Sequence, residues 1–319
     1  MNIVLIGHTV GIEKCILAIR DSEHSIKAIF THPKDDHRPD LETFEKRASL
    51  FGDYAYDVFD THEKHGIPVF EYQNLTDQRE IDKIKEFEPD LIATVGCRDI
   101  LRSNFIESFP YVINLHPYNL PFLRGAGIDS WMILQGLSGT TQQATCHYIN
   151  PRIDAGNVIA RHPYSIPAQA TPLEILKIRI DTLGKLLVEA IRCLEDSGFV
   201  GEPQNEDDSR YFPRLNTQRD GQLDFTNWSG QEIDLFVRAF SYPYDGAWFM
   251  LGDRKIHSLK CEFVQEENVH PFSYGLVFKK EDDALRIFCA GGYVRLSNLE
   301  ENNARLELKT VKLGKYVNQ

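Results

Sequence analysis

The 319-residue sequence has no CxxC pair and no cysteines at metal-ligand spacing. Its six cysteines, at 15, 97, 146, 193, 261 and 289, are scattered. That scatter excludes a disulfide framework and is expected of reduced, mostly buried thiols in a cytoplasmic protein. Long hydrophobic runs are missing as well. The longest, Ile3 to Gly7 and Leu91 to Gly96, fall far short of a bilayer span, so no membrane partner is expected. "MNIVLIGHTVG" lacks the basic start and small-residue cleavage site of a signal peptide and reads as a first core strand. Basic charge is in deficit, with 35 Lys and Arg against 47 Asp and Glu and a formal net charge of −12. Neutralising many phosphates takes Lys and Arg clustered on one face, which disfavours a large nucleic-acid partner. A local basic pocket for one or two phosphates stays open. The dinucleotide fingerprint GxGxxG is also absent. "GHTVG" offers only GxxxG, and no acidic residue closes the second strand, so His8 is read as part of a structural turn.

What is present is ordinary globular material. Hydrophobic residues make up 42% and charged residues 26%, and the length allows two domains with a sizeable core in the larger. Apolar runs at 2–7, 25–32, 66–72, 90–96 and 111–116 alternate with helical patterns at 13–22 and 77–89. Such alternation predicts an α/β fold, a doubly wound, mostly parallel, Rossmann-like sheet covered on both faces. A helix-like stretch at 128–137 comes next, then a strand pair at 144–153 and 157–166 turning at Asp154-Ala155-Gly156. One long helix is expected over 172–197, with Thr171 as N-cap and Pro172 at its first position. "GEPQNEDDSR" (201–210) is acidic and turn-rich and reads as a surface linker. The expected domains are 1–205, holding the large sheet, and 206–319, small and mostly β after one helix at 230–240.

Two histidine pairs, His32/His37 and His62/His65, sit in polar, charge-rich stretches without converging ligands. They are expected to be solvated loop residues rather than metal ligands, and no metal is expected anywhere. Asn114 and His116 in "VINLHPYNLPFLRG" differ in kind. On a strand, residues i and i+2 point to the same side. An amide and an imidazole are therefore presented together at a strand's carboxyl end, where open parallel sheets bind ligands. The next stretch has two prolines and two glycines, stiff punctuation that leaves room for a ligand. Some 40 residues on, Asp154 sits at a turn between apolar strands, able to supply a carboxylate to the imidazole. Amide, imidazole and carboxylate suit amine attack on a carbonyl. Asn can donate to the oxygen that gains charge, and His can donate to it or shuttle the proton. Asp can orient the His and favour its charged form. No serine or cysteine nucleophile is required, because the acyl group passes directly to the amine.

With those residues in view, "NLHPYNLPFLRGAG" followed by "ATCHYINPRIDAGNVIARHPYSI" resembles the core of the formyltransferases that use 10-formyltetrahydrofolate. The resemblance covers about residues 1 to 200. It implies Asn114, His116 and Asp154 as catalytic residues and 10-formyltetrahydrofolate as formyl-donating cosubstrate. "PDLIATVGCRDIL" (89–101) is similar to the segment along the folate's pterin ring, which implies Gly96, Cys97, Arg98, Asp99, Ile100 and Leu101 as cofactor-binding. His147 matches a position that often carries His in small-molecule members and is assigned to the same group. "YFPRLNTQRDGQ" and the chain beyond it resemble the linker and β domain of two-domain members, closest to the enzymes acting on nucleotide-linked amino sugars. "HPYNLP" replaces the commoner "HxSLLP", which bears on the acceptor pocket's walls and not on the chemistry.

The acidic charge and the lack of a basic run in the second domain weigh against tRNA as acceptor. Candidate substrate-binding residues are Tyr118, Phe122, Arg124, Gly125, Trp131 and Tyr242; Tyr211, Phe212 and Trp248 are further aromatics of the same region. The implied partner is a nucleotide-linked amino sugar, with dTDP, UDP, GDP and CMP carriers equally open, and a homodimer is allowed. Methionyl-tRNA formylation, formylfolate hydrolysis and a silent folate-binding protein are the alternatives.

Overall fold

The computed structural model describes residues 1–37, 42, 45, 48–196 and 198–318. Its first sheet contains β1 (Asn2–Gly7), β2 (Ser25–Thr31), β3 (Val69–Glu71), β4 (Leu91–Val95), β5 (Tyr111–His116), β7 (Thr141–Tyr148) and β8 (Val158–Ser165). The strand order is β3-β2-β1-β4-β5-β7-β8, parallel through β5 and antiparallel beyond it. Unbroken apolar runs mark the centre because both sheet faces are covered. All five residues of β4 are buried. One face packs Val4, Ile6, Phe30 and Ile92 on Ile81, Ile84 and Phe105. On the helix 183–194, Gly184 lies so near helix 11–19 that a Cβ would stand 2.5 Å from the Lys14 carbonyl oxygen, which only glycine permits.

A two-stranded ladder, β6 (Arg124–Gly125) on β9 (Tyr211–Phe212), completes this unit, which comprises Met1–Ala126, Thr140–Ile166 and Leu176–Phe212. The second unit comprises Gly127–Gly139, Pro167–Ile175 and Pro213–Gln319. It holds β10 (Ala247–Leu251), β11 (Arg254–Gln265), β12 (Val277–Lys280), β13 (Ala284–Cys289), β14 (Gly292–Glu301) and β15 (Ala304–Arg305) in one antiparallel sheet. A helix at Gly230–Ala239 lies on it, started by a capping box of Ser229 and Glu232. This unit recruits residues 127–139 and 167–175 from between segments of the first unit. Helix 129–134 packs on helix 230–239, and Arg238 donates to Ser138 Oγ and to the carbonyls of Ala168 and Ala170.

Three expectations need correction. The helix expected over 172–197 is two helices, Pro172–Asp181 and Leu183–Leu194. Thr182 directs both its amide (3.2 Å) and its hydroxyl (2.6 Å) to the Arg179 carbonyl, closing a tighter turn that ends the first helix. Residue 197 lies outside the described residues. The start is as expected, with the Thr171 hydroxyl accepting from the Glu174 amide. His32 and His37 are buried, at 6% and 5% exposure, and are not solvated loop residues. Their rings and that of His8 pack edge to face at centroid separations of 5.3, 5.4 and 5.6 Å. Burial first, then the charge of Arg98, pushes His8 down to about 3. His62 is exposed as read, while His65 is half-buried with Nε2 3.4 Å from Glu13. The 201–210 linker is not free either, for Glu202 exchanges two backbone hydrogen bonds with Val158. Among the described residues, no helix is long and apolar enough to cross a membrane.

Candidate active site

β5 brings Asn114 and His116 to the carboxyl end of the parallel strands, and its neighbours on each side complete the group. Thr94 stands opposite Asn114 on β4, and His147 opposite it on β7. Thr94 Oγ1 donates to Asn114 Oδ1 at 2.8 Å, fixing which end of the amide faces away from β4. Asn114 Nδ2 then donates to His147 Nε2 at 3.2 Å and lies 3.5 Å from Asp154 Oδ1. His147 Nδ1 is 2.7 Å from the Tyr148 carbonyl. A carbonyl only accepts, so Nδ1 carries the hydrogen, and in the neutral ring Nε2 is the acceptor Asn114 needs. Both amide hydrogens thus have a partner, and the one on the long contact to Asp154 is the one for which an incoming oxygen can compete.

The same argument sets the tautomer of His116. Its Nε2 lies 2.7 Å from the Leu123 carbonyl and must donate there, so in the neutral ring the Nδ1 lone pair is free. That Nδ1 is 3.8 Å from Asp154 Oδ1. Burial lowers the His116 pKa, and it outweighs the raising influence of Asp154 and of the Leu123 hydrogen bond. Asp154 favours the charged form, as expected, but burial outweighs it, and at neutral pH the ring rests as a base. For Asp154 itself burial acts upward. The charge of His116, together with His147 and the Gly125 amide, outweighs it and holds the carboxyl well below the usual range. Asp154 Oδ2 accepts from that Gly125 amide at 2.9 Å. Gly125 has φ +114°, and a Cβ there would stand 2.1 Å from the Phe212 carbonyl oxygen, so the residue must be glycine. A half-buried carboxylate, a neutral imidazole with an open lone pair and a clamped amide donor can take up a proton and hold a growing negative charge on oxygen.

Thiols do not compete for this chemistry. Cys146 pairs with Leu115, one residue off Asn114 in register, and so faces the opposite side of the sheet. Burial pushes the Cys97 thiol up to about 11.

The other expected site residues scatter more widely. Gly96 (φ +73°), Cys97, Arg98, Asp99, Ile100 and Leu101 form the loop after β4; Leu101 is buried and Ile100 is 57% exposed. The Arg98 guanidinium donates to the Asp36 carbonyl at 3.0 Å, toward the His8 cluster. Tyr118 is buried edge-on against His116, with Arg179 over its ring. Phe122 is 43% exposed. Arg124 is buried, its guanidinium engaged by Gln204 and Glu206. Trp131 and Tyr242 belong to the second unit, where the Trp131 indole donates to the Pro213 carbonyl and the Tyr242 carbonyl accepts from Leu173. Sequence reasoning missed Thr94 and Gln204. Thr94 left one signal, a lone hydroxyl inside the apolar run "LIATV".

Two family models match this chain: Formyl transferase over residues 1–191 and Formyl transferase, C-terminal domain, over residues 216–314. Among solved structures it is similar to WlaRD, a sugar 3N-formyl transferase determined with dTDP and 5-N-formyl-THF. There the identity is 16%, the TM-score 0.65, and the match covers 95% of this chain and 98% of that one. An N-formyltransferase from Helicobacter canadensis, in complex with folinic acid and dTDP-3-aminofucose, gives 16% identity, TM-score 0.63 and coverage of 93% and 99%. HypX from Aquifex aeolicus gives 18% identity, TM-score 0.57 and coverage of 95% and 46%, so the chain spans about half of that protein. At these identities the likeness to solved structures is one of fold.

Proposed function

The chain belongs to the formyl transferase family, and from that premise we propose that it transfers a formyl group from 10-formyltetrahydrofolate to the amino group of a nucleotide-linked amino sugar. The observation that carries this reading is the neutral His116, its open Nδ1 beside ionised Asp154, next to an amide donor clamped by Thr94. The donor supplies an N-formyl carbonyl for the amine to attack. Asn114 Nδ2 is assigned to the oxygen that gains charge, and His116 Nδ1 takes the proton that the nitrogen sheds. The imidazolium so formed faces Asp154. As the new C–N bond forms, the bond from the formyl carbon to folate N10 breaks, and His116 returns its proton to N10. The loop 96–101 is assigned to the folate ring. A glycine in the left-handed region and a half-exposed Ile100 fit a flat heteroaromatic surface.

The acceptor class draws support from charge. In the second unit Arg254 is paired with Glu301, Arg286 with Glu281, and Arg295 with both Glu281 and Asp283. Cations matched by carboxylates are poorly suited to a polyanion, whereas two phosphates need only one or two basic groups. The exposed Phe122 and Tyr211 are assigned to the acceptor, as surfaces for a base or sugar ring. The test is incubation with 10-formyltetrahydrofolate and a panel of amino sugars on dTDP, UDP, GDP and CMP, with methionyl-tRNA alongside and mass detection of the formyl adduct. The adduct is expected on a nucleotide sugar, with no tRNA binding at near-physiological salt. Formylation of methionyl-tRNA alone, or loss of the donor's formyl group to water, would overturn the proposal.

The Thr94 clamp yields its own prediction. Thr94→Val keeps the shape and removes the hydroxyl that orients Asn114. Turnover should fall about tenfold, the equivalent of one hydrogen bond of roughly 1.4 kcal/mol. Steady-state kinetics at saturating substrates will show it; an unchanged kcat would mean that the amide holds its orientation without Thr94.

A further inference from the structure

The turn that carries Asp154 is tight. Asp154 has φ +48°, a left-handed position that Asp and Asn adopt more readily than other residues with a Cβ. Two residues later, a Cβ on Gly156 would stand 1.7 Å from the Tyr148 carbonyl oxygen, so the chain folds back tightly. One side chain bridges this turn. Gln204 Nε2 donates to the carbonyls of both Asp154 and Gly156, each at 2.8 Å. Its other end, Oε1, accepts from Arg124 Nη2 at 2.9 Å and Nε at 3.3 Å. Arg124 is 7% exposed and also meets Glu206 at 3.1 and 3.0 Å. The next residue after Arg124 is Gly125, whose amide holds the Asp154 carboxylate.

These contacts close a ring. Asp154 is gripped at its carboxylate by Gly125 and at its carbonyl by Gln204, and both grips are anchored on Arg124. The guanidinium charge is met by Glu206, outside the catalytic group, which leaves the Asp154 charge to act on His116. We propose that Gln204, oriented by Arg124, is a positioning residue that holds the Asp154 carboxylate at its working distance from His116. This rests on the formyl-transfer reading only for its kinetic consequence. In this reading the Arg124 guanidinium serves the ring.

Two variants test it. Gln204→Met keeps the bulk and removes both functions. Gln204→Glu keeps the acceptor for Arg124 but turns an oxygen toward two carbonyls. Both should lower kcat by about tenfold to a hundredfold, the scale of a misplaced catalytic group, with KM for donor and acceptor within about threefold. The second readout needs no substrate. The carboxylate raises the His116 pKa, so a carboxylate that drifts away lets the imidazole titrate at lower pH in the NMR spectrum of either folded variant. Glu202→Gln, on the same segment but paired with Arg161, should change neither quantity. The proposal is overturned if the His116 titration stays put and kcat remains within about twofold, or if the loss appears in KM, which would make Gln204 a substrate contact. Should Gln204→Met not fold, the near-isosteric Gln204→Glu decides alone. A shifted titration in a protein that formylates no sugar would leave Gln204 in place and remove the acceptor assignment.

Discussion

Asn114→Asp is expected to lower turnover by more than about 100-fold, beyond the typical loss of one oxyanion donor. The side chain keeps its size and the Thr94 hydroxyl still has an acceptor. The group that faced His147 and Asp154 changes from an N–H donor to a carboxylate oxygen, 3.5 Å from a carboxylate that is already ionised. The substrate oxygen then gains its charge beside an anion and not beside a donor. Folate affinity should change far less, because this interaction strengthens only in the transition state. Measuring kcat together with donor Kd separates the roles. Lost folate binding with little further effect on turnover, or turnover within a few-fold of wild type, would make Asn114 a strand cap.

Asp154→Asn should cost at least about two orders of magnitude in turnover, as for other acid–base partners. The fold should survive: asparagine tolerates the left-handed φ of +48°, and its carbonyl oxygen can still accept from Gly125. What is lost is the charge that holds the imidazolium. The pH profile gives an independent check with a definite sign. His116 must be neutral to take a proton, and its pKa lies below the usual 6.5, so the acid limb that its protonation puts on wild-type kcat should be centred below pH 6.5. Removing Asp154 removes a raising influence, so the acid limb of the residual activity should move lower still. Near-normal turnover in a folded variant would remove Asp154 from the mechanism, and an acid limb moving upward would show that His116 is not the group titrating.

Features that depend on neighbours along the chain are legible in the sequence. Alternating apolar runs and helices determine the mostly parallel sheet, since a strand covered on both faces must be apolar throughout. The period of two puts Asn114 and His116 on one side, and the Asp154-Ala155-Gly156 turn places a carboxylate between two strands. Contacts set by register and burial are decided only by the tertiary structure. Thr94 and His147 reach Asn114 because β4 and β7 align with β5 at that residue, and no local pattern records a cross-strand partner. A polar, turn-rich stretch reads as linker, yet Gln204 within it crosses 50 positions to grip Asp154. His32 and His37 sit among charged neighbours in the chain and are buried all the same, because His32 follows directly on β2 and the His37 ring folds back to hydrogen-bond distance of Thr31 and the His32 carbonyl. Even the protonation of His116 depends on depth. The sequence supplies the imidazole and its carboxylate, and burial, which only the fold provides, decides that the ring rests neutral.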